Sequence, residues 1–73
     1  MLKTNKELIR CLKHERAELK HKIKKLARFK KSKAWYKIGA KQQTLLTYQY
    51  DVMCCYRNIL SNRIDCIKGD TNE

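Results

Sequence analysis

Ten basic residues stand between Glu18 and Asp51 with no acid among them: Lys20, Lys22, Lys24, Lys25, Arg28, Lys30, Lys31, Lys33, Lys37 and Lys41. Trp35 and Tyr36 lie inside this run. The combination suits an anionic partner that also carries rings. Lys and Arg neutralise phosphates, and an aromatic face stacks on a base. The candidate ligand-binding residues are therefore Arg28, Lys30, Lys31, Lys33, Trp35, Tyr36, Lys37 and Lys41. A surface without a binding task usually mixes acids among its lysines, because charges this dense repel one another. Charge alone does not separate duplex DNA, RNA, a small cyclic nucleotide and an acidic protein. A lipid surface fits poorly, since the first helical stretch carries Lys where a membrane-lying helix would carry Trp or Phe.

Other chemistry has little to stand on. There is no Gly-rich phosphate loop and no Ser-His-Asp set, so no catalytic residue is assigned and no enzyme is expected. Cys11 and His14 are three apart, the spacing of a nucleophile and its base on one helix face. A narrow helical hairpin offers them neither an oxyanion hole nor a closed pocket. The cysteines, at 11, 54, 55 and 66, form no C-x-x-C pair and lie away from His14 and His21, so neither a metal site nor a cofactor is expected. The N-terminus has no apolar run of signal length, and no stretch reaches the ~20 apolar residues of a membrane span. These features predict a cytoplasmic protein with reduced cysteines that act as small packing residues, and no membrane partner.

Positioning these residues falls to very few elements. The chain has 73 residues, no proline, and glycine only at 39 and 69. A sandwich or barrel needs a turn every 8–12 residues or so, which this composition cannot supply. Hydrophobic residues make up 42%, too many for a disordered basic tail. The fold class expected is all-α: an antiparallel helical hairpin with a short helical turn at its hinge, forming one domain.

Thr4-Asn5-Lys6-Glu7 matches the T-x-x-E capping box and starts the first helix, expected over residues 5–30. Ile9, Leu12, Leu19, Ile23 and Leu26 fall on one heptad seam. Arg16 occupies the same seam, so its head must either snorkel outward or meet a polar group on the facing helix. The pattern breaks at Lys30-Lys31-Ser32-Lys33, and Ala34–Ile38 reads as a helical turn that tucks Trp35 or Ile38 inward. Gly39 suits an N-cap, and a second helix is expected over residues 40–68. Gly69 then stands where a helix C′ residue is wanted, leaving 69–73 as a flexible tail.

On the second helix Leu45, Leu46, Val52, Met53, Tyr56, Ile59, Leu60, Ile64 and Ile67 fill one side, widened by Tyr48, Cys55 and Cys66. The arc covers about half the helix, more than one partner helix can bury. Self-association is therefore expected, giving an oligomeric, coiled-coil-like bundle with Leu45, Leu46, Val52, Met53, Tyr56, Ile59, Leu60 and Ile64 as its core. The charge divides in the same way. Residues 1–41 hold 15 Lys and Arg against 3 acids, net +12, and residues 42–73 hold 3 against 4, net −1.

The second helix carries L-L-x-x-Q-x-x-x-M-x-x-Y-x-x-I-L-x-x-R-I from Leu45 to Ile64, with Gln42 before it. This resembles the short hypothetical proteins of bacteriophages named after a crAss-like phage protein. In these, a first helix ends in L-x-x-F and an aromatic turn leads into the Q…M…Y…IL…RI helix. Leu26-Ala27-Arg28-Phe29 and Trp35 stand at the corresponding places, and the resemblance covers about residues 8–67. It implies viral origin and a small accessory role. In outline the layout is also similar to phage sponge proteins, helical hairpins that oligomerise and sequester cyclic nucleotide signals.

Three functions compete at this stage. The first is a non-enzymatic inhibitor of host antiviral defence that captures an anionic nucleotide between subunits. The second is nucleic-acid binding, including coverage of the phosphate channel of a CRISPR nuclease. The third is docking on an acidic host protein, with the second helix as assembly core.

Overall fold

The structure, a computed structural model, describes residues 4–71. It is an antiparallel helical hairpin in which α1 (Asn5–Lys30) and α2 (Ala40–Thr71) are joined by a 3₁₀ turn (Lys33–Lys37). Among the described residues there is no strand. The hairpin measures 52 × 22 × 15 Å.

Helix α1 begins where the capping box sits. The Thr4 backbone is extended, and its Oγ1 accepts from the Glu7 amide at 3.2 Å. That bond satisfies one of the free donors of the first turn. At the other end, Arg28 and Lys30 lie in the last turn, where cations suit the negative end of the helix dipole. The chain turns away at Lys31, whose amide donates to Arg28 O at 3.1 Å. The Ser32 amide and hydroxyl both donate to Phe29 O, at 3.0 and 2.7 Å. Gly39 precedes α2, and its carbonyl accepts the first helical bond, from Gln43 N at 3.0 Å.

The second helix departs from expectation at its far end. It continues through Gly69 to Thr71 and does not stop at Lys68. Gly69 has no positive φ, so it is not a left-handed C′ residue. A helical glycine costs about 1 kcal/mol relative to alanine, too little to end a helix by itself. Of the expected tail, residues 72 and 73 lie outside the described residues.

The core is a single apolar layer between the helices. Leu12, Leu19 and Ile23 of α1 meet Leu60 and Ile64 of α2, with Leu8, Ile9, Tyr50, Met53, Cys54 and Ile67 packed around them. Leu26 is buried nearer the hinge. Antiparallel pairing explains why the centre of α1 faces the C-terminal half of α2. Arg16, on the seam, takes the second of its two options: its Nη1 donates to Ser61 Oγ on α2 at 3.1 Å.

Leu60 and Ile64 are consumed by this layer, at 0% and 1% exposure. Their assignment to an oligomer interface is therefore corrected, because α1 already covers them. Met53 and Leu46 are half-buried. Leu45, Val52, Tyr56 and Ile59 remain exposed, as do Tyr48, Cys55 and Cys66. The sequence pattern gave the width of the arc, but α1 decides which half it covers.

On the same side of the hairpin the Tyr56 hydroxyl donates to the Glu15 carboxylate, joining the helices. That bond raises the Tyr56 phenol above its usual 10, helped by partial desolvation and by repulsion from Glu15, and opposed by Arg63. A raised phenol contributes stability that is present below pH 10 and lost as pH climbs through the higher folded value. In an alkaline ultraviolet titration, Tyr56 is expected to ionise after a free tyrosine. Glu15→Gln is expected to remove the delay, and a titration curve unchanged by Glu15→Gln would show that the bond does not form.

A candidate anion site at the hinge end

The residues expected to bind an anion divide once the fold is known. Lys30 is half-buried and its ammonium lies 4.9 Å from the Tyr50 ring centroid and 6.0 Å from that of Trp35. Tyr50 comes from α2, one turn after Leu46, and reaches Lys30 because the hairpin folds back at the 3₁₀ turn. A cation held over two aromatic faces is partly oriented before any ligand arrives. Lys30, Lys31, Ala27 and Tyr50 line an open groove of about 280 Å³.

Trp35 anchors the turn. Its ring meets Phe29 edge to face, centroids 5.9 Å apart, and its carbonyl accepts from Gln43 Nε2 at 2.8 Å. Trp35 is half-buried, as is Ile38, so both tuck inward. A second open groove, of about 310 Å³, is lined by Trp35, Gln43, Thr44, Thr47 and Tyr48. The Thr44 and Thr47 hydroxyls donate to Ala40 O and Gln43 O, which leaves their oxygen lone pairs available.

Lys30, Lys31 and Trp35 are thus brought together. Lys33 and Lys37 bound the turn that holds Trp35, and both are exposed. Tyr36 is 79% exposed and stands apart from both grooves. Arg28 lies on the face of α1 turned away from the core, by its helical position two residues before Lys30. Lys41 lies on α2 one turn before Leu45, exposed, on the flank that carries Tyr48.

Two contributors, Tyr50 and Gln43, are absent from the sequence-based set. Their positions on α2 carry no motif, and only the pairing of the helices shows that they meet Lys30 and Trp35. A larger groove, of about 430 Å³, runs along α1 past His14, Ala17, Glu18, His21, Lys22 and Lys25. All six belong to one helix, so no second element walls it, and His14 Nε2 lies 2.6 Å from Glu18 Oε1 within it. That exposed pair turns His14 toward Glu18.

Cations also follow the opposite flank from Tyr56. Lys13, Lys20, Lys24 and Lys31 repeat at helical spacing on the side where Arg16 meets Ser61 and where Tyr50 meets Lys30. Among the described residues no three His, Cys, Asp or Glu side chains gather as a metal site, and no helix is long and apolar enough to cross a membrane.

Comparison with known proteins adds a family. No curated protein and no solved structure matches the chain significantly. A family model described as Sequestin matches residues 6–66, which takes in α1, the turn and almost all of α2. The hairpin and its hinge-end site therefore lie within the matched region, and the chain belongs to the Sequestin family.

Proposed function

We propose that this protein is a phage-type accessory protein that captures an anionic nucleotide signal and withholds it from host antiviral defence. The observation that carries the reading is the convergence at the hinge end. There Lys30 lies over Tyr50 and near Trp35, with Lys31 beside it. The lysines neutralise phosphates, and Trp35 or Tyr50 stacks on a base. Arg28, Lys33, Lys37 and Lys41 add long-range attraction around the same end. The family's name, Sequestin, denotes sequestration and agrees with a binding role. The viral assignment rests on the Q…M…Y…IL…RI resemblance of α2.

Small ligands are usually bound in concave sites, and the two grooves are open on a single hairpin. The reading therefore includes an assembly whose second subunit helps wall them. Isothermal titration calorimetry with a panel of cyclic di- and trinucleotides tests it. Saturable heat with at least one member is expected. No heat with any member would overturn the nucleotide reading.

The line of Lys13, Lys20, Lys24 and Lys31 supports a second reading, contact with a nucleic-acid backbone. From first to last it spans about 27 Å at ~1.5 Å per residue. Binding of that kind loses roughly one unit of log affinity per log unit of salt for each phosphate contacted. A steep slope with single- or double-stranded oligonucleotides favours this reading over the first, and a flat one removes it.

A further inference from the structure

Among the described residues, five of the six large hydrophobic side chains that stay exposed lie on one stripe of α2: Leu45 at 50%, Tyr48 at 62%, Val52 at 66%, Tyr56 at 39% and Ile59 at 53%. The stripe is symmetric in both spacing and chemistry. Leu45 and Ile59 stand seven residues to either side of Val52, and Tyr48 and Tyr56 stand four. From these observations we infer that α2 packs antiparallel against α2 of a second copy, about a two-fold axis at Val52. Such an axis sets Leu45 against Ile59 of the partner subunit, Tyr48 against Tyr56 of the partner subunit, and Val52 against its own symmetry mate. A two-fold interface must be complementary to itself. Here aliphatic meets aliphatic and aromatic meets aromatic, at every step of the stripe.

Two further observations choose a second copy as the occupant. The first is surface. The chain exposes 6000 Å² for 8.8 kDa, whereas a compact monomer of that mass exposes about 4,800 Å². The radius of gyration, 16.3 Å, likewise exceeds the roughly 11 Å of a compact 73-residue chain. The excess area is comparable to the ~800 Å² that each partner buries in an interface of standard size. The second is charge. Two copies at +11 each repel, and residues 42–73 are the part of the chain with no positive excess. An α2–α2 contact keeps both copies of α1 apart. Lys41 and Arg63, eleven residues to either side of Val52, end the apolar stripe, and the axis sets each against the other's copy as a like-charge pair that stays solvated at the rim.

The arrangement also places the second subunit at the hinge-end site. Tyr48 belongs both to the stripe and to the groove anchored by Trp35. The two-fold sets Tyr56 of the partner subunit against the Tyr48 edge of that groove. Each dimer then carries two such sites, about 36 Å apart, because Ala40 is twelve residues from the axis at ~1.5 Å each. The dimer itself rests on the stripe, whatever the ligand, so its test uses the protein without ligand.

Sedimentation velocity of the full chain at micromolar concentrations is expected to give twice the 8.8 kDa chain mass. Val52→Lys is expected to weaken dimerisation at least 100-fold and leave the circular dichroism of the helices intact, because Val52 is exposed in the hairpin. A monomeric wild type, or an assembly that survives Val52→Lys, would overturn the inference. Register is tested by Val52→Cys in a variant whose four native cysteines are replaced by serine or alanine. Oxidation is expected to cross-link Val52→Cys rapidly and Asn58→Cys, on another face of α2, slowly or not at all. Faster cross-linking at position 58 would also overturn it.

Discussion

Leu60→Ala is expected to cost the chain about half of its resistance to unfolding. Leu60 has no exposed surface and sits where α2 crosses the Leu12, Leu19 and Ile23 layer of α1. Truncating a buried leucine loses its transfer free energy and leaves a cavity, at a combined cost of about 2–5 kcal/mol. A chain of this length has roughly 4–11 kcal/mol to lose. The core is one layer thick, so no second layer can collapse into the gap. Urea unfolding followed by helical circular dichroism, at fixed protein concentration, is expected to show the midpoint fall by about half or more. A midpoint close to wild type would mean that the helices are not held together by this layer. Replacing Met53, half-buried at the edge of the layer, is expected to cost less.

Lys30→Glu is expected to reduce nucleotide affinity by about 10- to 100-fold while leaving the helices folded. The range follows from the roughly 1.5–3 kcal/mol carried by a hydrogen bond to a charged group. Folding is spared because the cation–π contacts of half-buried Lys30 with Tyr50 and Trp35 contribute about 0.5–2 kcal/mol, less than the chain has to lose. The informative comparison is Lys13→Glu, the same charge change at the other end of the basic flank, far from the hinge. If the ligand is a nucleotide held at the hinge, only Lys30→Glu changes its affinity strongly. If the lysines follow a nucleic-acid backbone, both variants weaken binding of an oligonucleotide by similar factors. Equal loss of nucleotide affinity in the two variants, measured by calorimetry, would show that the hinge end is not the site.

Much of the hairpin could be read from residue types. Thr4 and Glu7 mark the start of α1, and the heptad of Ile9, Leu12, Leu19, Ile23 and Leu26 marks its inner face. The break at Lys30-Lys31-Ser32-Lys33 marks the hinge, with Gly39 just before α2. Gly69 misled because a glycine near a helix end usually adopts a left-handed conformation, and here the helix simply runs through it. The seam position of Arg16 pointed to a polar group across the hairpin, and Ser61 supplies it.

The site was less legible than the fold. A helical wheel reports that half of α2 is apolar, but it does not say which half α1 covers. That depends on how the two helices are set against each other, a long-range property. For this reason Leu60 and Ile64 looked like Leu45 and Val52, and they separate only in three dimensions. Tyr50 and Gln43 were missed for the same reason, since nothing near them in sequence couples them to Lys30 or Trp35. Charge density picked out the hinge end as the most basic part of the chain, yet it could not place Arg28 away from the grooves or Tyr36 out in solvent.

Assembly of the hairpin and retention of an anionic nucleotide can be read together in one experiment. Native mass spectrometry tests both most directly, on protein extracted from cells that co-express a cyclic-nucleotide synthase. Two chains per particle are expected, with one discrete added mass for each site, matching the nucleotide made in those cells and lost on denaturation. Single chains with no added mass would contradict the proposed capture, as would heterogeneous adducts of nucleic-acid fragments.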